Sequence, residues 1–429
     1  MKKLFLLLPL LLTLQLTHAQ ILKRIGRNAQ RKVEQKIDQK VDKAIDDAVD
    51  GKPKTKKESG KSNDDAAGTE GTGNQSGGNG KSGTLKSYSK FDFIPGEKIL
   101  VEEDFSQDAI GDFPDKWNTN STGELVNVEG KTGKWLSLSK DGVFMPEFIT
   151  SLPENFTLEF EVMCNPEYSY YSTPFHLYMA SLANRKDFQG YKFLGPAKKE
   201  AVEVWVHPND AGGQRGHSGF VVWNAGKESM ENESSTAQFH KSNNYVKVSV
   251  WRQKQRLRVY LNEEKVWDVP RAFDAEKKYN TLLFMTGRTH DANDRYLVHN
   301  LRLAVGAPDT RNKLITEGKF VTNGILFDVN SDRIKPESYG VLKDIAGVLA
   351  ENSTVKVKII GHTDSDGDDK SNMDLSKRRA AAVKTALSRE FNIDAARMEA
   401  DGKGESQPAD KNETPTGKAN NRRVEFIKL

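Results

Sequence analysis

The sequence has 429 residues, room for two or three domains that each bury a core of their own. Its net charge is only +4, and 29% of its residues are charged with the two signs intermixed. The concentrated basic face of a dedicated nucleic-acid binder is therefore not expected.

Residues 1–19 read as an export signal. Lys2 and Lys3 precede an apolar run from Leu4 to Leu16, and Thr17 and Ala19 are small residues where a signal peptidase cuts. The run is too short for a comfortable bilayer span. No cysteine follows it, so no lipid anchor is expected there; the sole cysteine, Cys164, also excludes an intramolecular disulfide. In an alternating apolar stretch it reads as a small buried hydrophobe.

Over residues 20–50 apolar side chains recur every fourth position, from Ile21, Ile25 and Ala29 to Ile45 and Val49. A step of four drifts about 40° around a helix, so the stripe is narrow. Lys23, Arg24 and Arg27 make its first half basic, and Asp42, Asp46 and Asp47 make its second half acidic. Such an amphipathic helix suits an outer-membrane surface or a partner helix; a solvated helix without a dedicated partner fits the narrow stripe equally. Residues 51–90, dominated by Lys, Gly, Ser, Asn and Asp, read as a disordered linker with a reach on the order of 35 Å.

Residues 91–308 carry a period of two. Phe156, Leu158, Phe160 and Val162 alternate with polar residues, as do Val202, Val204 and Val206, then Val246, Val248 and Val250, then Leu257, Val259 and Leu261. Polar turns every eight to twelve residues predict an antiparallel β-sandwich. The opening Glu102–Trp117 and the Val266-Trp267-Asp268-Val269-Pro270 return resemble concanavalin-like and laminin G-like jelly rolls. That resemblance implies a glycan- or protein-binding module. Glu159 and Glu161 share a strand face, but two outward glutamates are also what a solvated face presents, and the spacing lacks the acid–nucleophile signature of sandwich glycosidases. Trp205, Trp223, Trp251 and Trp267 suit either sugar stacking or the core. The loop 290–294 reads as a turn whose oxygens could also hold calcium.

Residues 309–429 alternate strands and helices. Gly324–Phe327 reads as a strand, Pro336 opens a helix through Leu342, Ile345 and Leu349, and Val355–Ile359 reads as a second strand. A long helix is expected over residues 372–390, and Val424–Ile427 as a last strand. G-H-T-D at 361–364, N-x-x-L-S-x-x-R-A at 372–380 and N-R-R-V at 421–424, in this order, resemble the OmpA-like C-terminal domain.

This resemblance implies non-covalent binding of peptidoglycan through the diaminopimelate of its stem peptide. Such a zwitterion requires a carboxylate for its ammonium and a forked guanidinium for its carboxylate. The family's pair falls on Asp364 and Arg379, with Asn372, Arg422 and Asn330 lining the pocket and Arg423 at its rim. Asn372 and Ser371 also fit a helix cap, and Asp364 a turn. The acidic run Asp364–Asp369 resembles a calcium loop, but its glycine is misplaced.

The expected architecture is multidomain: an N-terminal helix, a disordered linker, an all-β jelly-roll sandwich and an α/β OmpA-like domain. The expected protein is exported and periplasmic, associated with the outer membrane and cell wall, and it is non-enzymatic, with no cofactor or metal. The alternatives are an adhesin whose sandwich carries the main function, or a sandwich glycosidase with a wall anchor.

Overall fold

The computed structural model describes residues 91–190, 199–210, 212–213, 215–306 and 309–429. The signal, helix and linker expected over residues 1–90 lie outside them.

The period-two stretches form two stacked antiparallel sheets. The first contains β1 (Lys98–Glu103), β3 (Gly123–Asn127), β4 (Lys134–Leu138), β6 (Asn155–Cys164), β11 (Tyr245–Gln253), β12 (Arg256–Leu261), β13 (Glu264–Val269) and β15 (Tyr296–Val305). Its order is β13-β12-β11-β6-β15-β4-β3, with β1 paired to β15. The second contains β2 (Trp117–Thr119), β5 (Val143–Pro146), β7 (Phe175–Ala180), β8 (Glu200–His207), β9 (Gly216–Asn224), β10 (Lys227–Thr236) and β14 (Thr281–Met285). Its order is β10-β9-β8-β7-β14-β5-β2. Phe156, Leu158, Phe160 and Val162 face Leu177, Val202, Val204 and Phe284 in one apolar core, with Cys164 buried among them. Strand β10 has no apolar alternation, and nearly all of it is exposed at the sheet edge. Its charged side chains suit an edge that must not pair further.

The outer face of the first sheet departs from expectation. Glu159, Ser249, Trp251 and Tyr260 point away from the core yet are buried. Residues 91–97 run across them. Phe93 packs edge-on against Trp251 and Tyr260, and Gly96 N–H donates to Thr157 Oγ1 at 2.9 Å. Trp251 is thus covered, and Trp267, also buried, donates to Ser218 Oγ at 2.7 Å.

The C-terminal module comprises β16 (Lys319–Thr322), α1 (Tyr339–Glu351), β17 (Val357–His362), α2 (Asp369–Phe391), β18 (Met398–Gly404), α3 (Pro415–Asn421) and β19 (Val424–Lys428). The sheet order is β16-β19-β17-β18, with β17 and β18 parallel and the other pairs antiparallel. The strand expected at 324–327 lies instead at 319–322. Asn323 Nδ2 donates to the carbonyls of Ala419, Asn420 and Arg422 at 3.0 to 3.1 Å, which turns the chain off the sheet edge. Helix α2 starts earlier than expected because Asp368, not Asn372 or Ser371, caps it by accepting from Ser371 N–H at 3.0 Å. It ends at Asn392, which is left-handed at φ 57°.

The module packs directly on the sandwich. Asn420 on α3 accepts from Ile99 N–H and donates to Ile99 O, both at 3.1 Å, so a side-chain amide completes the pairing of edge strand β1. Thr416 Oγ1 accepts from Glu102 N–H at 3.1 Å. Ile94 adds apolar contact to both the module core and the Phe91–Phe93 cluster.

Candidate functional site

Strand β17 ends in the G-H-T-D motif, and two glycines let α2 lie close to it. A Cβ on Gly361 would stand 2.3 Å from Ser376 O, and one on Gly402 would stand 2.3 Å from Ser376 Oγ. Arg379 lies three residues beyond Ser376, on the same side of the helix. It therefore projects at the strand end, over a cavity of about 100 Å³. Arg302, Phe327, His362, Arg379, Arg422 and Arg423 help line this cavity.

The four arginines differ in how they are neutralised. Arg423 is buried and bonds Glu425 Oε1 at 3.0 and 2.9 Å through Nε and Nη2. Arg422, at the C-terminus of α3, pairs with Asp364 Oδ2 at 2.5 Å. Arg302, from the sandwich, grips Glu102 bidentately at 2.6 and 2.8 Å. Among the described residues Arg379 donates only to carbonyls, Ser331 O at 2.9 Å and Asp328 O at 3.4 Å, and it lies 4.9 Å from the Phe327 ring centroid. Among the described residues no carboxylate stands within ion-pair distance of it. Burial lowers the Arg379 guanidinium from its ordinary value; Asp364 opposes that, while Arg422 and Arg378 reinforce it. A cation so placed is short of negative charge.

Of the five expected residues, Arg379 and Arg422 line the cavity, and Asp364 joins them through Arg422. Asn372 is buried, but its amide turns to Asp364 O, Asp366 O and Glu405 Oε2 at 3.3, 3.1 and 2.5 Å. It holds the 364–366 loop rather than lining the cavity. Asn330 is exposed, in a left-handed backbone at φ 53°, and is not among the lining residues. In the N-R-R-V motif Asn421 is structural: it accepts from Ala409 N–H and Asp410 N–H and donates to Asp410 O and Asn412 Oδ1.

Three residues were not singled out from the sequence. His362 is buried in the cavity wall, its Nε2 3.5 Å from Glu425 Oε1 and its Nδ1 without a hydrogen-bond partner among the described residues. Its place inside G-H-T-D was the available signal. Arg302 and Glu102 belong to the sandwich and had none.

The other carboxylate clusters are engaged. Asp366 pairs with Lys418 at 2.6 Å, and Asp368 caps α2. Asp294 accepts from Asn165 Nδ2, Ser169 N–H and the Ser172 hydroxyl, so its lone pairs are already used. Glu159 binds Lys247 at 2.7 Å, and Glu161 accepts from Asn300 at 3.1 Å.

A cavity with one under-neutralised guanidinium beside a carboxylate–guanidinium pair has the chemistry to hold a small anion or zwitterion. The OmpA family matches residues 326–422, so this stretch is an OmpA-family domain. Outer membrane porin F of Pseudomonas aeruginosa is 40% identical over 101 residues, covering 24% of this chain and 29% of the porin. The outer-membrane lipoprotein YfiB of the same species is 41% identical over 107 residues, covering 25% of this chain and 63% of YfiB. The solved peptidoglycan-associated lipoprotein from Burkholderia pseudomallei is 26% identical, covering 28% of this chain and 98% of that one, with a TM-score of 0.24. The chain therefore spans less than two thirds of the length of either curated relative.

Proposed function

We propose that this is a non-enzymatic cell-envelope protein that holds peptidoglycan non-covalently through the diaminopimelate of the stem peptide. Arg379 would grip the ligand carboxylate, Asp364 would accept from its ammonium, and Arg422 would bridge the two. Asn372 would act by fixing the loop that carries Asp364. Asn330 would reach the ligand only from the exposed loop above the cavity. The observation that carries this reading is Arg379, half-covered in the cavity and, among the described residues, hydrogen-bonded to carbonyls and to no carboxylate. Relatives named for the outer membrane support the cell-envelope part of this reading.

In this reading residues 91–308 are a jelly-roll module and 309–429 the wall-binding domain, exported to the periplasm by residues 1–19. Co-sedimentation of the full chain with purified sacculi tests it. Wild type should pellet, and Asp364→Ala and Arg379→Ala should each lose at least about tenfold in affinity, as expected when one member of a charged recognition pair is removed. Full binding by both variants would refute the pocket.

A second reading, a glycan- or protein-binding sandwich, draws on Tyr170 and Tyr171, which are 48% and 77% exposed, with Tyr171 against the His290 ring. A glycan array on the full chain tests it. A glycosidase is disfavoured by Glu159, which is buried and already bound to Lys247.

A further inference from the structure

We propose that the β-sandwich completes the ligand cavity, with Arg302 as a specificity-determining residue for the ligand's carboxylate end and Glu102 as its counterweight. This deepens the reading above and rests on the cavity being the stem-peptide site.

Arg302 belongs to β15 and Glu102 to β1, yet their ion pair stands at the cavity of the other module. Arg302 lines that cavity, and Glu102 Oε1 is 4.0 Å from Arg422 Nη2. Two contacts fix this placement. Thr416 holds the Glu102 backbone, and Asn420 holds Ile99 three residues earlier, so β1 is set in register against α3. Behind Arg302 the chain of charges continues to Glu159, which is tied to Lys247 at 2.7 Å. Burial opposes the Arg302 charge, but Glu102 and Glu159 outweigh it and raise the guanidinium above its ordinary value. The wall therefore presents a permanent cation and a carboxylate that competes with any bound anion for Arg422.

The two members of the pair must then act with opposite sign. Without the Arg302 charge, Glu102 faces Arg422 uncompensated, draws that guanidinium toward itself and repels the incoming carboxylate. Without the Glu102 charge, Arg302 and Arg422 are both released toward the ligand. A purely structural role would weaken binding in both cases, because each substitution breaks the same partly exposed pair.

The experiment is calorimetric titration of the full chain with a soluble disaccharide tripeptide ending in meso-diaminopimelate. Arg302→Gln should weaken binding about fivefold and Glu102→Gln should strengthen it by a similar factor, the range of a partly exposed ion pair. The double variant, neutral like the wild-type pair, should return to within about twofold of wild type. The gap between the single variants should shrink as salt is raised to about 1 M. Asp364→Ala is the control. If wild type binds and Asp364→Ala does not, while both single variants are unchanged or both weaken, the composite site is wrong and the wall-binding reading stands. No binding by wild type sinks both.

Discussion

Glu425 on β19 keeps its charge while almost covered, held by Arg423 Nη2 at 2.9 Å and Lys319 Nζ at 2.8 Å, with His362 Nε2 at 3.5 Å. Burial alone would raise its carboxyl, but contacts from His362, Lys319 and Arg423 outweigh that and hold it far below the ordinary 4.5. A carboxyl depressed by folding stabilises the protein above its unfolded value, and the benefit is lost as pH falls through the folded value. Glu425→Gln should therefore cost about 3 kcal/mol near neutrality, because it strands the buried Arg423 charge. The difference from wild type should hold steady above the ordinary value of 4.5 and narrow steadily below it. Urea titrations across that range measure this; a gap independent of pH down to about 2.5 would mean that the carboxylate charge is not what matters.

At the scale of elements, the position of Arg379 depends on how closely α2 approaches the parallel pair β17–β18. Gly361 and Gly402 make that approach, since a methyl group on either would overlap Ser376. Neither glycine is needed for an unusual backbone angle; each is needed for space. Gly361→Ala should destabilise the protein by about 1–3 kcal/mol, the range for overpacking a close contact. It should also weaken sacculus binding, because the helix must lift and carry Arg379 with it. Loss of stability with unchanged binding affinity would show that the cavity tolerates a shift of α2.

On the scale of the whole molecule, the described residues of the sandwich and the α/β module share one compact unit. The 91–97 segment fills the space between sheet and helices, and a Cβ on Gly340 of α1 would stand 2.3 Å from Phe93 O. With Asn420 pairing to the edge of β1, the two modules should unfold in a single transition. Asn420→Ala removes both bonds and leaves Ile99 N–H and O without this partner, a loss of about 1–3 kcal/mol. Differential scanning calorimetry should then resolve two transitions where wild type has one. Two transitions in wild type would mean that the modules are independent, and Arg302 could not then be held at the cavity.

What local spacing encodes was legible in the chain. Alternation at Phe156–Val162 and Val246–Leu261 marked the sandwich strands because a sheet with one buried face demands a period of two. The motifs at 361–364, 372–380 and 421–424 marked the α/β module and picked out Asp364, Arg379 and Arg422. Elements without an apolar signal were missed, such as exposed β10 and the glycine-rich β18, and so was the shift of the 324–327 strand, which Asn323 decides through bonds to residues nearly a hundred positions away. The roles within the motifs also needed packing: Asn372 and Asn421 spend their amides on loops, and Asn330 is left exposed. The grouping of Asp364, Arg379 and Arg422 about one cavity the chain could suggest by itself, because each sits in a recognisable local motif. That its wall includes Arg302 and Glu102 only the tertiary structure decided, since their place beside Arg422 follows from the docking of α3 on β1 and from no spacing along the chain.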